Sequence, residues 1–81
     1  MVLSVHVVAA GVDINSASAE QMAQGLNGIG LVKAEEIVRC RQLNGQFQSI
    51  DQLVSVKGIG TGLLERNRER LEVSGEIPVK K

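Results

Sequence analysis

The chain contains few of the residues that usually anchor a small fold: it has no tryptophan or tyrosine, one phenylalanine, one proline and one cysteine in 81 residues. A single cysteine excludes an internal disulfide and cannot form a metal site alone. Since Phe47 is the only aromatic residue, a folded core has to be built from aliphatic side chains. At this length we expect one small domain, with no room for a separate catalytic domain.

An excess of either charge is also missing, because nine lysines and arginines balance nine aspartates and glutamates. This balance argues against a strongly cationic surface. The basic residues are unevenly distributed, however, since no lysine or arginine precedes Lys33. The clustering in the later part of the chain keeps a local basic surface open as an interpretation.

Long hydrophobic runs are absent as well. The mostly apolar stretch 1–10 is interrupted by Ser4 and His6, and it is shorter than the roughly 20 residues that a membrane span needs. Its end, Val8-Ala9-Ala10, is typical of a secretory signal, but the positively charged start of such a signal is missing. Residues 1–12 are therefore interpreted either as a signal remnant or as a flexible or strand-like arm.

The other end of the chain carries helix-breaking residues. Gly75 and Pro78 lie within the last nine positions, which predicts a flexible C-terminal tail over 73–81, outside the helical core. The folded domain is accordingly expected over 13–72.

What the sequence does contain is a tetrapeptide that occurs twice, as Asn27-Gly28-Ile29-Gly30 and as Lys57-Gly58-Ile59-Gly60, each time after an apolar residue. Glycine takes positive φ without steric penalty and lets a ligand approach the backbone amides. Each copy predicts a tight hairpin that ends one helix and starts the next, where free amides suit an anion. A hairpin that only turns the chain is the simpler interpretation, but the repetition favours a pair of anion sites, with nucleic acid as the first candidate.

The repeat extends beyond the glycines. Ser18 and Gln21, and again Ser49 and Gln52, have the spacing of a capping box, which predicts a helix start in each copy. When the copies are aligned, Gly25 stands as a one-residue insertion in the first. Apolar residues at helical spacing follow each cap and each hairpin. The pattern predicts an all-α fold of four short helices in two pseudo-symmetric units.

Two residues break this symmetry. Asn67 occupies the place that Ile37 has in the first copy, and we expect it to be a core polar group bonded to a loop carbonyl or to the other unit. Phe47, in the connector between the units, is predicted to wedge them together, with stacking on a base as the weaker alternative.

The candidate contacts cluster at the hairpins. Lys33, in the first turn after the first hairpin, is expected to reach a phosphate held by that hairpin, whereas Leu63 stands at the equivalent place in the second unit and Lys57 supplies the charge there. Most of the later arginine and glutamate run is expected to face solvent, with Arg66 the best contact candidate. The predicted binding residues are Asn27, Gly28, Ile29, Gly30, Lys33, Lys57, Gly58, Ile59, Gly60, Thr61, Gly62 and Arg66.

The motifs around the two hairpins carry a family resemblance. The chain resembles the ComEA family of bacterial competence over roughly Val12 to Leu71, through Asp13-Ile14-Asn15-Ser16-Ala17-Ser18, Leu26-Asn27-Gly28-Ile29-Gly30, Lys33-Ala34-Glu35-Glu36-Ile37-Val38, Asn44-Gly45-Gln46-Phe47, Val56-Lys57-Gly58-Ile59-Gly60 and Asn67-Arg68. The resemblance implies a tandem helix-hairpin-helix domain of the SAM-like class. It also implies sequence-independent binding of double-stranded DNA for uptake, in the periplasm or on the outer face of the cytoplasmic membrane, with a cytoplasmic location as the alternative.

The expected partners are double-stranded DNA and proteins of the DNA-uptake machinery, with no small-molecule substrate. We expect no cofactor and no metal site, and a monovalent cation on the hairpin carbonyls stays an open alternative. Catalysis is not expected, because the aspartates Asp13 and Asp51 lie upstream of the hairpins and His6 is the only histidine. A protein-interaction module or a DNA-repair-associated domain is the competing interpretation.

Overall fold

The computed structural model describes residues 11–74, and the predictions for 1–10 and 75–81 lie outside the described residues. Two helical units follow one another, and a short parallel strand pair joins the segment before the first unit to the segment after the second. This confirms the mostly helical fold. The elements are β1 (Val12–Asp13), α1 (Ala19–Gly25), α2 (Leu31–Asn44), a 3₁₀ helix (Ile50–Ser55), α3 (Thr61–Asn67), a 3₁₀ turn (Arg68–Arg70) and β2 (Leu71–Glu72).

The two predicted capping boxes have different outcomes. In the first, the Ser18 hydroxyl accepts from the amide of Gln21 at 3.0 Å, and the Gln21 side chain accepts from the amide of Ser18 at 2.9 Å. The second prediction is wrong, because Ser49 makes no side-chain cap bond. There the Gln52 amide already donates to the Ser49 carbonyl at 3.2 Å, as a 3₁₀ start requires, and the Gln52 side chain accepts from the Gln48 amide at 2.7 Å.

The one-residue difference between the copies decides which helix type forms before each hairpin. In the first copy the amide of Leu26 donates to the Met22 carbonyl, four residues back, at 3.0 Å; in the second, the amide of Val56 donates to the Leu53 carbonyl, three residues back, at 2.9 Å. A 3₁₀ helix rises about 2.0 Å per residue against 1.5 Å for an α-helix, so fewer residues cover the same length. Losing the counterpart of Gly25 therefore tightens the helix and keeps the buried residues in place.

Buried residues of both units form one hydrophobic core, which includes four pairs of aliphatic residues at equivalent places in the two units. Phe47 is buried, with 5% of its surface exposed, which confirms its predicted place in the core. The buried Asn15 holds it there: the Phe47 amide donates to Asn15 Oδ1 at 2.8 Å, and Asn15 Nδ2 donates to the Phe47 carbonyl at 2.9 Å. The matched buried pairs are Met22 with Leu53, Leu26 with Val56, Ile29 with Ile59, and Ala34 with Leu64.

Within residues 11–74, the folded domain extends beyond the boundaries expected from the sequence. Val12 pairs with Leu71 in the parallel ladder, so it belongs to the domain and not to an arm. Val73 is buried in the core, and the amide of Ser74 donates to the Asp13 carboxylate at 3.2 Å. Placing Val73 and Ser74 in the tail was wrong, because they are held by single contacts with residues far away in the chain, which leave no periodic pattern in the sequence.

The helices within the described range are too short or too polar to cross a bilayer.

Candidate nucleic-acid interface

Both glycine hairpins have the predicted backbone geometry. Gly28 has a φ of +75° and Gly58 a φ of +91°. These values favour glycine, because in other residues the Cβ atom would crowd the neighbouring backbone. Ile29 and Ile59 are each 3% exposed, which confirms that their side chains point inward. Only their backbone atoms can therefore reach a ligand.

The helix that follows each hairpin starts at an exposed glycine without a side-chain cap, Gly30 for α2 and Gly60 for α3. The first helical bond comes from the amide of Ala34 in one case and Leu64 in the other, each at 3.0 Å. The amides before them have no partner within the helix. A Cβ atom built on Gly30 or Gly60 meets nothing within 4 Å, so the approach to these amides is open.

The two hairpins are connected by side chains that cross between the units. A Cβ atom built on Gly58 would lie 3.6 Å from both Cγ and Cε of Lys33. At the equivalent place in the first unit, a Cβ atom on Gly28 would lie 2.9 Å from Cδ1 of Leu63 and 3.6 Å from Nη1 of Arg66. The stem of Lys33 therefore lies across the second hairpin, where the sequence assigned it to the first, because the first turn of α2 faces the other unit.

Asn67 fastens the first hairpin to α3. Its side chain is fully buried, and Nδ2 donates to the carbonyls of Asn27 and Leu63 at 2.9 and 3.0 Å. The amide of Asn27 donates to Asn67 Oδ1 at 2.7 Å. This confirms the predicted core role, with both expected kinds of partner: a loop carbonyl and the other unit.

The charged run after the second hairpin is partly engaged in structure. Arg68 forms the ion pairs seen among residues 11–74, with Asp51 at 2.8 Å and Glu65 at 2.7 Å. The hydrogen bond from Arg68 lowers the pKa of the Glu65 carboxyl. Outside this run, Arg41 of α2 is also engaged, since its Nη1 donates to the Ile14 carbonyl at 2.7 Å. Arg66, exposed and next to Gly28, is the arginine of this run that the structure brings to a hairpin.

Most of the predicted contact residues are exposed to solvent. Lys33 is half-buried by its packing on the second hairpin, and the two isoleucines are buried. Exposed members of the set are Asn27, Gly28, Gly30, Lys57, Gly58, Gly60, Thr61, Gly62 and Arg66.

Sequence reasoning missed two apolar residues beside the first hairpin. Leu31 and Val32 are 46% and 74% exposed at the start of α2, where α3 has Thr61 and Gly62. Their position off the apolar stripe of α2 was the available signal. Across residues 11–74, no group of three or more histidine, cysteine, aspartate or glutamate side chains is placed to hold a metal ion.

Comparison with known proteins agrees with this geometry. The family pattern described as the helix-hairpin-helix motif matches residues 7–72. An uncharacterized protein of Haemophilus influenzae is 45% identical over 65 residues, which are 80% of this chain and 58% of the relative. ComE operon protein 1 of Bacillus subtilis is 40% identical over 62 residues, 76% of this chain and 30% of the relative.

A third relative is a much longer protein. The endonuclease/exonuclease/phosphatase family domain-containing protein 1 of Danio rerio is 40% identical over 63 residues, which are 78% of this chain but 11% of that protein. The chain thus spans only part of these relatives, from 58% of the Haemophilus influenzae protein to 11% of the Danio rerio protein. The match to ComE operon protein 1 confirms the ComEA resemblance. Because the family pattern covers nearly all of the folded residues and both hairpins have its expected form, the chain belongs to the helix-hairpin-helix family.

Proposed function

We propose that this domain is a non-catalytic module that binds double-stranded DNA without sequence preference. The observation that carries the proposal is the pair of exposed glycine hairpins, linked by crossing side chains and each followed by an unobstructed helix start at Gly30 or Gly60. Two anion sites held in one rigid unit suit a polyanion with regularly spaced charges.

The chemistry of the contact accounts for the absence of sequence preference. Amide groups that donate to phosphate oxygens fix the position of a protein on the duplex but read no base. Lys57 and Arg66 are exposed at the hairpins and Lys33 lies across one of them, so each hairpin has a cation to add to its amides. The net charge of zero predicts modest affinity, with a Kd of about 10⁻⁴–10⁻⁶ M, typical of non-specific complexes.

In the cell we propose that the protein captures incoming DNA for uptake in natural competence, in the periplasm or on the outer face of the cytoplasmic membrane. The similarity to ComE operon protein 1 supports this role. The same proposal gives proteins of the DNA-uptake machinery as neighbours. It extends beyond the domain, because the chain spans 30% of that relative.

The test is a fluorescence-anisotropy titration of labelled duplexes at several salt concentrations. With three cations at the hairpins, the slope of log K against log salt is expected near −2.7, at about −0.9 per neutralised phosphate. Duplexes of unrelated sequence should bind equally. Affinity that ignored salt, or that required one sequence, would contradict the proposal.

Charge reversal locates the contact. Lys33→Glu combined with Lys57→Glu is expected to weaken binding strongly while leaving helix content, measured by circular dichroism, unchanged. Arg39→Glu is the control for the single variant Lys57→Glu. Both substitutions change the net charge equally, but Arg39 lies within α2, away from its hairpin end. Arg39→Glu should therefore lose less affinity for DNA than Lys57→Glu. If the double variant bound DNA as well as the parent, a protein-interaction module would become the better interpretation.

A further inference from the structure

We propose that the two hairpins exchange their cations: Lys33, from the first unit, contacts the phosphate held at the second hairpin, and Arg66, from the second unit, contacts the phosphate held at the first. This inference rests on the proposed DNA binding and assigns each cation to a hairpin. The sequence alone assigns them the other way, because each cation follows its own hairpin along the chain.

The position of Lys33 is fixed by its stem. A Cβ atom built on Gly58 would be in van der Waals contact with three consecutive methylenes, at 3.6 Å from Cγ, 3.9 Å from Cδ and 3.6 Å from Cε. The lysine therefore runs along the backbone of the second hairpin, and its ammonium group is one bond beyond Cε. Packing of this kind leaves the stem half-buried while the charged end stays available.

The first hairpin is covered from the opposite unit in the same way. Leu63, the counterpart of Lys33, packs on Gly28 but carries no charge, and Nη1 of Arg66 lies beside the same glycine. Arg66 follows Leu63 by three positions, so both lie on one side of α3. The charge missing at position 63 is thus supplied from position 66.

Contacts between the two units fix the first hairpin next to α3, which carries Arg66. Asn67 joins the first hairpin to α3 through both the amide and the carbonyl of Asn27, and Arg66 precedes it on the same helix. The neighbouring Arg68 is held by Asp51 and Glu65, so it does not compete for the place beside Gly28. Each phosphate site consequently takes a cation from the other unit, and at the second hairpin this cation adds to the exposed Lys57.

Nuclear magnetic resonance of the ¹⁵N-labelled protein titrated with a non-specific duplex tests the assignment. The readouts are the DNA-induced shifts of the hairpin amides, Gly28 and Gly30 against Gly58 and Gly60. Lys33→Gln is expected to reduce the shifts at the second hairpin and to spare the first. Arg66→Gln should do the opposite, and each variant should lower the salt slope by about 1.

Lys57→Gln is the matched control, because Lys57 belongs to the second hairpin by sequence, and its pattern should resemble that of Lys33→Gln. A Lys33→Gln loss confined to the first hairpin, or spread equally over both, would overturn the exchange. If the parent showed no DNA-induced shift at either hairpin, the proposed function itself would fail, which is a distinguishable result.

A second measurement applies if a glutamine variant unfolds. Gly60→Glu adds a carboxylate at the second hairpin, where the structure has open space for a side chain. In that background Lys33→Met, which keeps the packed stem and removes the charge, should weaken binding no further, because its phosphate site is already lost. Arg66→Met should still reduce the DNA-induced shifts at Gly28. Equal effects of both substitutions on the two hairpins would contradict the assignment.

Discussion

Replacing Asn67 with alanine tests how the first hairpin is held. The side chain is fully buried, with 0% of its surface exposed, and makes three hydrogen bonds to Asn27 and Leu63, at 2.7, 2.9 and 3.0 Å. The alanine variant removes all three and leaves the two polar groups of Asn27 without their protein partner.

The expected cost follows from these bonds. At about 0.5–1.5 kcal/mol each, three bonds contribute about 1.5–4.5 kcal/mol. Asn27 is exposed, so water replaces part of what is lost, and we expect a decrease of about 2–3 kcal/mol in the free energy of unfolding. Residues 11–74 would have about 3–10 kcal/mol in total at 0.05–0.15 kcal/mol per residue. The variant should therefore lose a large part of its stability, with Tm lower by about 4–8 °C per kcal/mol.

Urea unfolding followed by circular dichroism measures the loss, and hydrogen exchange of the Asn27 amide measures the local release. Ile37→Val is the control, since Ile37 holds the equivalent buried place in the first unit. It should cost about 0.5–1.5 kcal/mol without speeding exchange at Asn27 beyond the global effect. If Asn67→Ala changed the unfolding free energy by less than about 0.5 kcal/mol and left that amide protected, the role of Asn67 in holding the first hairpin would be refuted.

Four further substitutions, in three experiments, test other parts of the structure. Gly58→Ala, at a φ of +91°, should cost about 1–2 kcal/mol, whereas Gly60→Ala should change urea stability little because its φ is −105° and the space beside it is open; equal costs would count against the hairpin geometry. Burial by itself would raise the pKa of Asp13. Hydrogen bonds from the backbone amides of Asn15 and Ser74 together outweigh this effect, so the pKa lies below its usual value. The resulting stability is complete above about pH 3.9, the ordinary carboxyl pKa, and is lost as pH falls through the lower folded-state value. Acid titration of unfolding should accordingly be shallower in Asp13→Asn than in the parent, and parallel curves would exclude this linkage. Val73→Ala should lower the free energy of unfolding by about 1–2 kcal/mol, at roughly 0.8 kcal/mol per buried CH₂. An unchanged Tm would show that Val73 is not part of the core.

The repeat shows how far sequence reasoning reached. Local signals predicted both hairpins, the inward isoleucines and the first capping box, because each depends on residues within a few positions of one another. The same logic failed at Ser49, where the spacing of a capping box is present but a 3₁₀ helix forms. A pattern of residue types does not distinguish i→i+3 from i→i+4 bonding when one residue is missing from the repeat.

Amino-acid sequence by itself therefore determined the class of fold, the two turns and the chemistry at their surface, since glycine placement and apolar spacing act locally. Only the tertiary structure decided which hairpin Lys33 and Arg66 lie beside, which polar side chains are buried, and that Val12 and Val73 belong to the domain. These outcomes depend on contacts between residues far apart in the chain, such as Lys33 with Gly58 and Asn67 with Asn27. Packing of the two units creates those contacts, and no short window of sequence contains them.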